Sequence, residues 1–217
     1  MGSATTIIIA DDHPLFRGAL GQALGGAGSG PEIIEAADFD SARQAASKHP
    51  DADLMLLDLS MPGASGLTGL MMMRAEHQNI PVAVISASDD TTTIRRALEL
   101  GASAFISKSS GIDEIRQAID TVLEGGFWTP PGFDADREHD PEIETLITRL
   151  KTLTPQQTRV LGMIGEGLLN KQIAYELGVS EATVKAHVSA ILLKLNVDSR
   201  TQAVIQMAKI GAAPAGL

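Results

Sequence analysis

Asp58 closes an apolar run, LMLLDLSMPG at residues 54–63, where a carboxylate is costly unless something compensates its charge. Four other residues stand in equivalent places: Asp11 and Asp12 after TTIIIA, Ser86 at the end of PVAVIS, and Lys108 just after SAFIS. Three carboxylates crowded together raise one another's pKa unless a cation sits among them. Hard oxygen donors of this kind, with water completing an octahedron, suit Mg²⁺. A hydroxyl and an ammonium opposite such a cation are the groups that would surround a phosphoryl oxygen. Asp58 can then act as a nucleophile, because a carboxylate attacks phosphorus to give an acyl phosphate. Taken singly, each acid is more often a helix cap or a solvated turn, Ser86 a turn residue and Lys108 a surface lysine. Their joint placement is what points to a site.

The elements that must position them read as alternating short apolar runs and longer amphipathic ones. Strands are predicted at 5–10, 32–36, 53–58, 81–86 and 103–107, with helices near 14–25, 39–48, 65–77, 90–100 and 112–124. Pro14 suits a first helical turn, where its missing N–H has no partner to lose. Five strand–helix repeats imply a five-stranded parallel sheet with helices on both faces, and near-continuous Ile, Leu and Val in the central strands fits burial on both sides. In such a sheet, ligands bind outside the carboxyl ends of the strands, where strand order reverses. All five chemistry-bearing residues would collect there. The three methionines at 71–73 read as core filler on a helix.

After Gly125 and Gly126 the pattern breaks. FWTPPGFDADREHDP suits a linker, with Phe127 and Trp128 packing its start onto the first domain. PEIETLITRL then places Ile143, Leu146, Ile147 and Leu150 on one stripe that needs a covering surface. From Lys151 onward four short helices are predicted, near 154–166, 170–177, 181–195 and 199–210. Thr154 with Gln157 and Ser199 with Gln202 have the spacing of capping boxes, and Ser180 caps the helix that restarts after Gly178. The expected organisation is therefore residues 1–125, a linker with a short helix at 126–150, and a helical domain at 151–217.

Composition narrows the function class. The chain has 217 residues, 44% of them hydrophobic, and no cysteine, which excludes disulfides, thiolate catalysis and cysteine-bound metal. No apolar run approaches the roughly 18–20 residues needed to cross a bilayer, and the start lacks a signal-peptide pattern, so a cytoplasmic protein without a membrane partner is expected. The net charge of −10 divides unevenly. Residues 1–150 carry 10 Lys and Arg against 23 Asp and Glu, net −13, whereas residues 151–217 carry 7 against 4, net +3. Only the C-terminal part has the sign that a polyanion attracts.

IIIADDHPLFRGAL, LMLLDLSMPGASG, AVISAS and GASAFISKSS closely resemble the receiver domain of two-component response regulators, a flavodoxin-like (βα)5 fold, over about residues 5–125. The resemblance implies that Asp58 accepts a phosphoryl group from a sensor histidine kinase. It also implies that Asp12 and Asp58 bind Mg²⁺ directly, Asp11 through water, and the Ser60 backbone carbonyl completes the protein ligands. Ser86 and Lys108 would grip the phosphoryl oxygens, and Phe105, in place of the commoner Tyr, would take the aromatic switch position and bury on phosphorylation. Two further acids, in SASDDTTT, lie near the site with no role assigned.

On the helix at 181–195, Val184, Val188, Ile191, Leu192 and Leu195 form one stripe. Thr183, Ala186, His187, Ser189 and Lys194 lie towards the other side, with Lys185 on the flank. Residues 152–204 resemble the LuxR-type helix-turn-helix, and with the receiver this resembles the NarL/FixJ subfamily of transcriptional response regulators. By that resemblance Lys171 and Thr183 contact phosphates of double-stranded DNA, and Lys185, Ala186 and Ser189 face the groove. His187 is a backbone contact or a packed residue, and Lys194 belongs with the DNA-binding set. The last helix offers Ala203, Val204, Met207 and Ile210 as an apolar edge through which a homodimer would form. The expected function is a phosphorylation-controlled transcriptional regulator and not an enzyme. Two alternatives are a DNA-binding dimer whose receiver is a phosphorylation-independent scaffold or ligand sensor, and a haloacid-dehalogenase-like phosphatase. The latter places a second acid two residues after its nucleophile, where Ser60 stands here.

Overall fold

The computed structural model describes residues 5–25, 30–64, 66–134 and 140–211. Five strands, β1 (Thr6–Ala10), β2 (Glu32–Ala36), β3 (Leu54–Asp58), β4 (Val82–Ser86) and β5 (Ala104–Ser107), alternate with α1 (Pro14–Gly25), α2 (Phe39–Lys48), α3 (Leu67–Glu76), α4 (Thr91–Glu99) and α5 (Ile112–Leu123). Every pairing is parallel and the order is β2-β1-β3-β4-β5. Strand order therefore reverses between β1 and β3, the strands that end at Asp11 and Asp58.

Successive side chains on a strand point to opposite faces. Ile7, Ile9, Leu54, Leu56, Ile85 and Ile106 accordingly meet Leu20 of α1 and Ile115, Ile119 and Val122 of α5. Ile8, Met55, Leu57, Val84 and Phe105 face α2, α3 and α4. The chain leaves this unit gradually: Trp128 bridges to Ala104, its carbonyl accepts from the Phe105 N–H at 3.1 Å, and its ring is partly buried. Phe127, expected to pack beside it, is 77% exposed instead, because residues in this extended stretch alternate in direction and only Trp128 faces the core.

The remaining helices are α6 (Pro141–Lys151), α7 (Pro155–Gly165), α8 (Asn170–Leu177), α9 (Glu181–Leu195) and α10 (Arg200–Lys209). Thr154 and Gln157 exchange the expected capping bonds, at 3.3 and 3.0 Å. Ser199 caps α10 through the Gln202 N–H, but the Gln202 side chain reaches Asp198 rather than closing the box. The stripe on α6 is buried and continuous with the core of α7, α9 and α10.

That core does not stop at the helical part; it runs on into the cluster beneath α3. Met72 is the hinge of the contact: a Cβ on Gly162 of α7 would stand 3.0 Å from its sulfur and 3.3 Å from the Thr68 methyl. Met72 and Thr68 thus pack on the glycine of α7 at the seam between the two parts. Beside α3, the Leu67 N–H donates to the carbonyl of Gly211, just past α10, at 3.1 Å. Gly66 has φ +55, and a Cβ there would overlap that carbonyl oxygen. Overpacking this seam should destabilise the chain: Gly162→Val is expected to cost about 1–3 kcal/mol by urea denaturation and to speed amide hydrogen exchange in both α3 and α7, where unchanged exchange would contradict the contact.

Candidate functional site

Asp11 is fully buried and Asp58 is 3% exposed, so neither carboxylate is solvated in the ordinary way. Chain topology explains the placement, since both sit at the reversal point beyond the carboxyl ends of neighbouring strands. Lys108 answers them. Its Nζ lies 2.8 Å from Asp11 Oδ2 and 2.9 Å from Asp58 Oδ2, and 5.1 Å above the Phe16 ring centroid. The contact to Asp58 is a directed hydrogen bond; the one to Asp11 has the distance without the alignment, leaving Asp11 Oδ2 buried without a hydrogen-bond partner. Burial works against the ammonium, but hydrogen bonds and charge attraction from Asp11 and Asp58 outweigh it and hold the Lys108 pKa above the usual lysine value. The Lys108 N–H bonds to the Ser86 carbonyl at 2.8 Å, which ties the amine's backbone to β4.

Local hydrogen bonds orient the rest. The Ser60 N–H donates to Asp58 Oδ1 at 3.2 Å, turning the loop after β3 back over the carboxylate. Arg17 donates to the Asp11 carbonyl at 2.6 Å and to Glu35 at 2.7 Å, pinning the loop after β1. His13 donates its N–H to Asp11 Oδ1 at 2.8 Å. Asp11, Asp12, His13 and Asp58 each offer one ligand atom within 4.8 Å of the others, a donor set that fits a divalent cation. The second observation for such an ion is the pair of buried oxygens, Asp11 Oδ2 and Asp12 Oδ1, that no aligned donor satisfies.

At the far end of the chain, α8 and α9 meet through Gly178, whose φ of +65 reverses the backbone, and Ser180 accepts from the Thr183 N–H at 3.1 Å. Val184, Ile191 and Leu195 are buried on one side of α9, and Thr183, Lys185, Ala186 and Ser189 are exposed on the other. Lys171 is exposed on α8. Since α7 and the end of α10 make the seam with α3, the outer side of α9 stays open.

Residues 7–120 match the response regulator receiver domain family, and residues 151–207 match the luxR family of bacterial regulatory proteins. The chain is a response regulator. It is 43% identical over 210 residues to a glycerol metabolism activator of Pseudomonas putida, spanning 94% of this chain and 95% of that one. It is 31% identical over 207 residues to the nitrate/nitrite response regulator protein NarL of Escherichia coli, spanning 92% and 93%. A solved structure of two RcsB dimers bound to two parallel DNAs shares the fold, with TM-score 0.54, 21% identity and coverage of 95% and 98%. This response regulator is a transcription regulator with a LuxR-type DNA-binding domain, not an enzyme, and a receiver implies a histidine kinase partner. Among its described residues no helix is long and apolar enough to cross a membrane.

The structure brings Asp11, Asp12, Asp58, Lys108 and the Ser60 backbone into one pocket, with Ser86 lining an adjoining groove beside Ser60. Phe105, expected to bury on phosphorylation, is already fully buried against the α4 side of the sheet. Lys194, expected near DNA, instead donates to the Thr152 carbonyl at 2.7 Å and to Gln157 Oε1 at 2.8 Å, because its position one residue from the end of α9 brings it over the start of α7. His187 is half-buried. Ala203, Met207 and Ile210 lie in the core of their own chain with Val204 packed against it, so this edge of α10 is covered here. Sequence reasoning assigned no role to Asp89 and Asp90. Asp90 caps α4 through the Thr93 N–H at 2.9 Å, and Asp89 accepts from Ser107 at 3.1 Å, tying the loop after β4 to the end of β5. Only the N-cap spacing of Asp90 was a signal in the residues themselves.

Three carboxylates share one ammonium, so removing one should relieve repulsion. Asp12→Asn is expected to raise thermal stability in EDTA, by about 0.5 kcal/mol given that Asp12 is partly solvated. It should also lose most of the stabilisation that a divalent cation gives the wild type. Equal cation response in the two proteins would contradict this account of the pocket.

Proposed function

We propose that Asp58 takes a phosphoryl group from the phosphohistidine of a sensor histidine kinase, and that this modification governs how a homodimer of the chain holds double-stranded DNA. The observation that carries the reading is the half-buried Lys108 ammonium, 2.8 Å from Asp11 and 2.9 Å from Asp58. It stands ready to pair with phosphoryl oxygens. In the transfer an Asp58 oxygen bonds to phosphorus as the P–N bond breaks. The electron pair stays on the donor nitrogen, which is reprotonated from solvent. Asp11, Asp12 and Asp58, with the Ser60 carbonyl, would hold Mg²⁺, which neutralises charge on the transferring oxygens. Ser86, whose hydroxyl accepts from the Ser88 N–H at 3.1 Å, would turn to donate to the phosphoryl group.

Because Phe105 is buried beforehand, burial of that ring cannot carry the signal onward. The loop after β3 can. The Leu59 carbonyl accepts from the Gly66 N–H at 3.0 Å, and the next N–H, of Leu67, holds Gly211 at the end of α10. Charge and bulk added at Asp58 act on this loop and thereby on the seam between the receiver and the helical part. A nearly complete switch needs about 5.5 kcal/mol of differential stabilisation. Losing the Gly211 bond and part of the apolar seam would meet a good share of that.

On DNA, Lys171 and Thr183 are assigned to phosphates, Lys185, Ala186 and Ser189 to the major groove, and His187 to the backbone flank. Lys194 is assigned to holding α9 on α7. Small side chains at 186 and 189 offer few bidentate base contacts, which leaves more to DNA shape. Pairing two copies places recognition helices about 34 Å apart. Helix α10 supplies the surface, through half-exposed Ile205 on its outer side, or through Ala203, Val204, Met207 and Ile210 once the seam opens. The cytoplasm is where the kinase's phosphohistidine and DNA are both met.

Incubation with acetyl phosphate and Mg²⁺ should add one phosphoryl mass to the intact protein and none to Asp58→Asn; an unlabelled wild type would overturn the reading. For the DNA face, Lys185→Ala should weaken specific binding by about 1–3 kcal/mol with thermal stability unchanged, because the ion pair it makes among the described residues is an exposed one to Glu181. Undiminished affinity in that variant would remove Lys185 from the face.

A further inference from the structure

We propose that His13 is a nitrogen ligand of the cation pocket, so that the site favours a first-row transition ion of the manganese-to-zinc group over magnesium by more than oxygen donors alone would. The inference rests on reading Asp11, Asp12 and Asp58 as the cation site and adds a donor of different chemistry to it.

Geometry makes the case. The bond from the His13 N–H to Asp11 Oδ1 turns the ring back over the pocket. Its Nδ1 then lies 2.8 Å from Asp12 Oδ1, 3.1 Å from Asp11 Oδ1 and 3.9 Å from Asp58 Oδ2. In an octahedral site with bonds of about 2.1 Å, neighbouring donors stand about 3.0 Å apart and opposite ones about 4.2 Å. The observed separations are those of donors arranged around one small ion. The side chain is 64% exposed overall, so this is no core histidine; its nitrogen points inward while its carbon edge faces solvent.

The hydrogen bonding points the same way. Asp12 Oδ1 is buried and has no aligned donor even though Nδ1 is so near. An imidazole N–H would satisfy that oxygen only along the line of a hydrogen bond. Nδ1 also lies 3.1 Å from Asp11 Oδ1 and 3.4 Å from the Lys108 ammonium, contacts that ask opposite tautomers of the ring, whereas a cation bound through the Nδ1 lone pair suits the carboxylates on every side. With the lone pair on Nδ1, that nitrogen and Asp12 Oδ1, 2.8 Å apart, would repel unless a cation lay alongside. Imidazole nitrogen is a poor donor for Mg²⁺ and a good one for manganese, cobalt, nickel and zinc, whose affinities rise along that series to copper.

The test uses full-length wild type, His13→Ala and Asp12→Asn, titrated calorimetrically with Mn²⁺ and with Mg²⁺ without a phosphodonor. Pulsed electron paramagnetic resonance of the Mn²⁺ complex provides an independent readout on the unmutated protein. His13→Ala should weaken Mn²⁺ by about tenfold while changing Mg²⁺ less than about twofold, and wild type alone should show an imidazole nitrogen coupled to the metal. An Mn²⁺ to Mg²⁺ ratio unaltered in His13→Ala, or no nitrogen coupling in wild type, would overturn the role of His13 and leave the pocket standing. If wild type binds neither ion more tightly than Asp12→Asn does, the pocket reading itself fails and the inference with it.

Discussion

Everything in the receiver is arranged around a charge imbalance that the fold imposes. Parallel strands at a reversal point deliver Asp11 and Asp58 to the same place, both buried, with Asp12 beside them. A buried carboxylate without compensation is costly, and among the described residues one half-buried ammonium, that of Lys108, lies 2.8 and 2.9 Å from the pair. The site is therefore under-neutralised by construction. Such a pocket has an intrinsic demand for positive charge, which a divalent cation meets, and Lys108 adds a donor that can pass from carboxylate to phosphoryl oxygen. The same imbalance explains why so many neighbouring groups are locked by local bonds. Arg17 on the Asp11 carbonyl, Ser60 on Asp58 and Asp89 on Ser107 hold the loops in place against electrostatic pressure to separate.

The seam between α3 and α7 gives that imbalance a route to the rest of the molecule. It is built from small and soft groups: a glycine on α7, methionines and a threonine methyl on α3, and a glycine carbonyl at the end of α10. Close packing without charge gives an interface with good dispersion contact and little directional bonding. Interfaces of this kind can part without leaving buried ions behind. A directional tie, from the Leu67 N–H to the Gly211 carbonyl, sits at the mouth of the loop that Asp58 begins. A change at the carboxylate thus meets the interface at that bond.

How much of this was legible in the residues follows from the range of the interactions. Strand ends, helix caps and the convergence of Asp11, Asp12, Asp58 and Lys108 depend on short-range periodicity and on a topology that parallel βα repeats nearly dictate, and these were readable. Periodicity also shows that a helix face is apolar but not what covers it. Met71, Met72 and Met73 read as core and are core, but nothing in the period showed that Met72 packs on Gly162 of α7, and Ala203, Met207 and Ile210 looked like a free edge when they pack within the chain. Lys194 carried the sign expected near DNA, yet its partners, Thr152 and Gln157, are far away in sequence. Phe105 could be placed on β5 by alternation, but its state of burial depends on how α4 closes over the sheet. Asp89 pairs with Ser107 across a strand crossover, a relation with no local trace.

The charge asymmetry adds a constraint that bond lists do not show. Residues 1–150 carry −13 and residues 151–217 carry +3, so the DNA-binding part works in the field of a strongly acidic neighbour. With the seam closed, α9 is sterically open but electrostatically disfavoured for a polyanion approaching the whole chain. Moving the receiver away by more than a Debye length, about 8 Å at physiological ionic strength, removes most of that repulsion without any change in the reading face. Opening the seam would then raise DNA affinity through field as well as through pairing of two copies. The phosphoryl charge added to the receiver, a net gain of about one because the acyl bond consumes the carboxylate's own charge, would oppose DNA binding if the seam stayed closed. On the proposed phosphorylation of Asp58, separation is what would let the modification favour DNA binding.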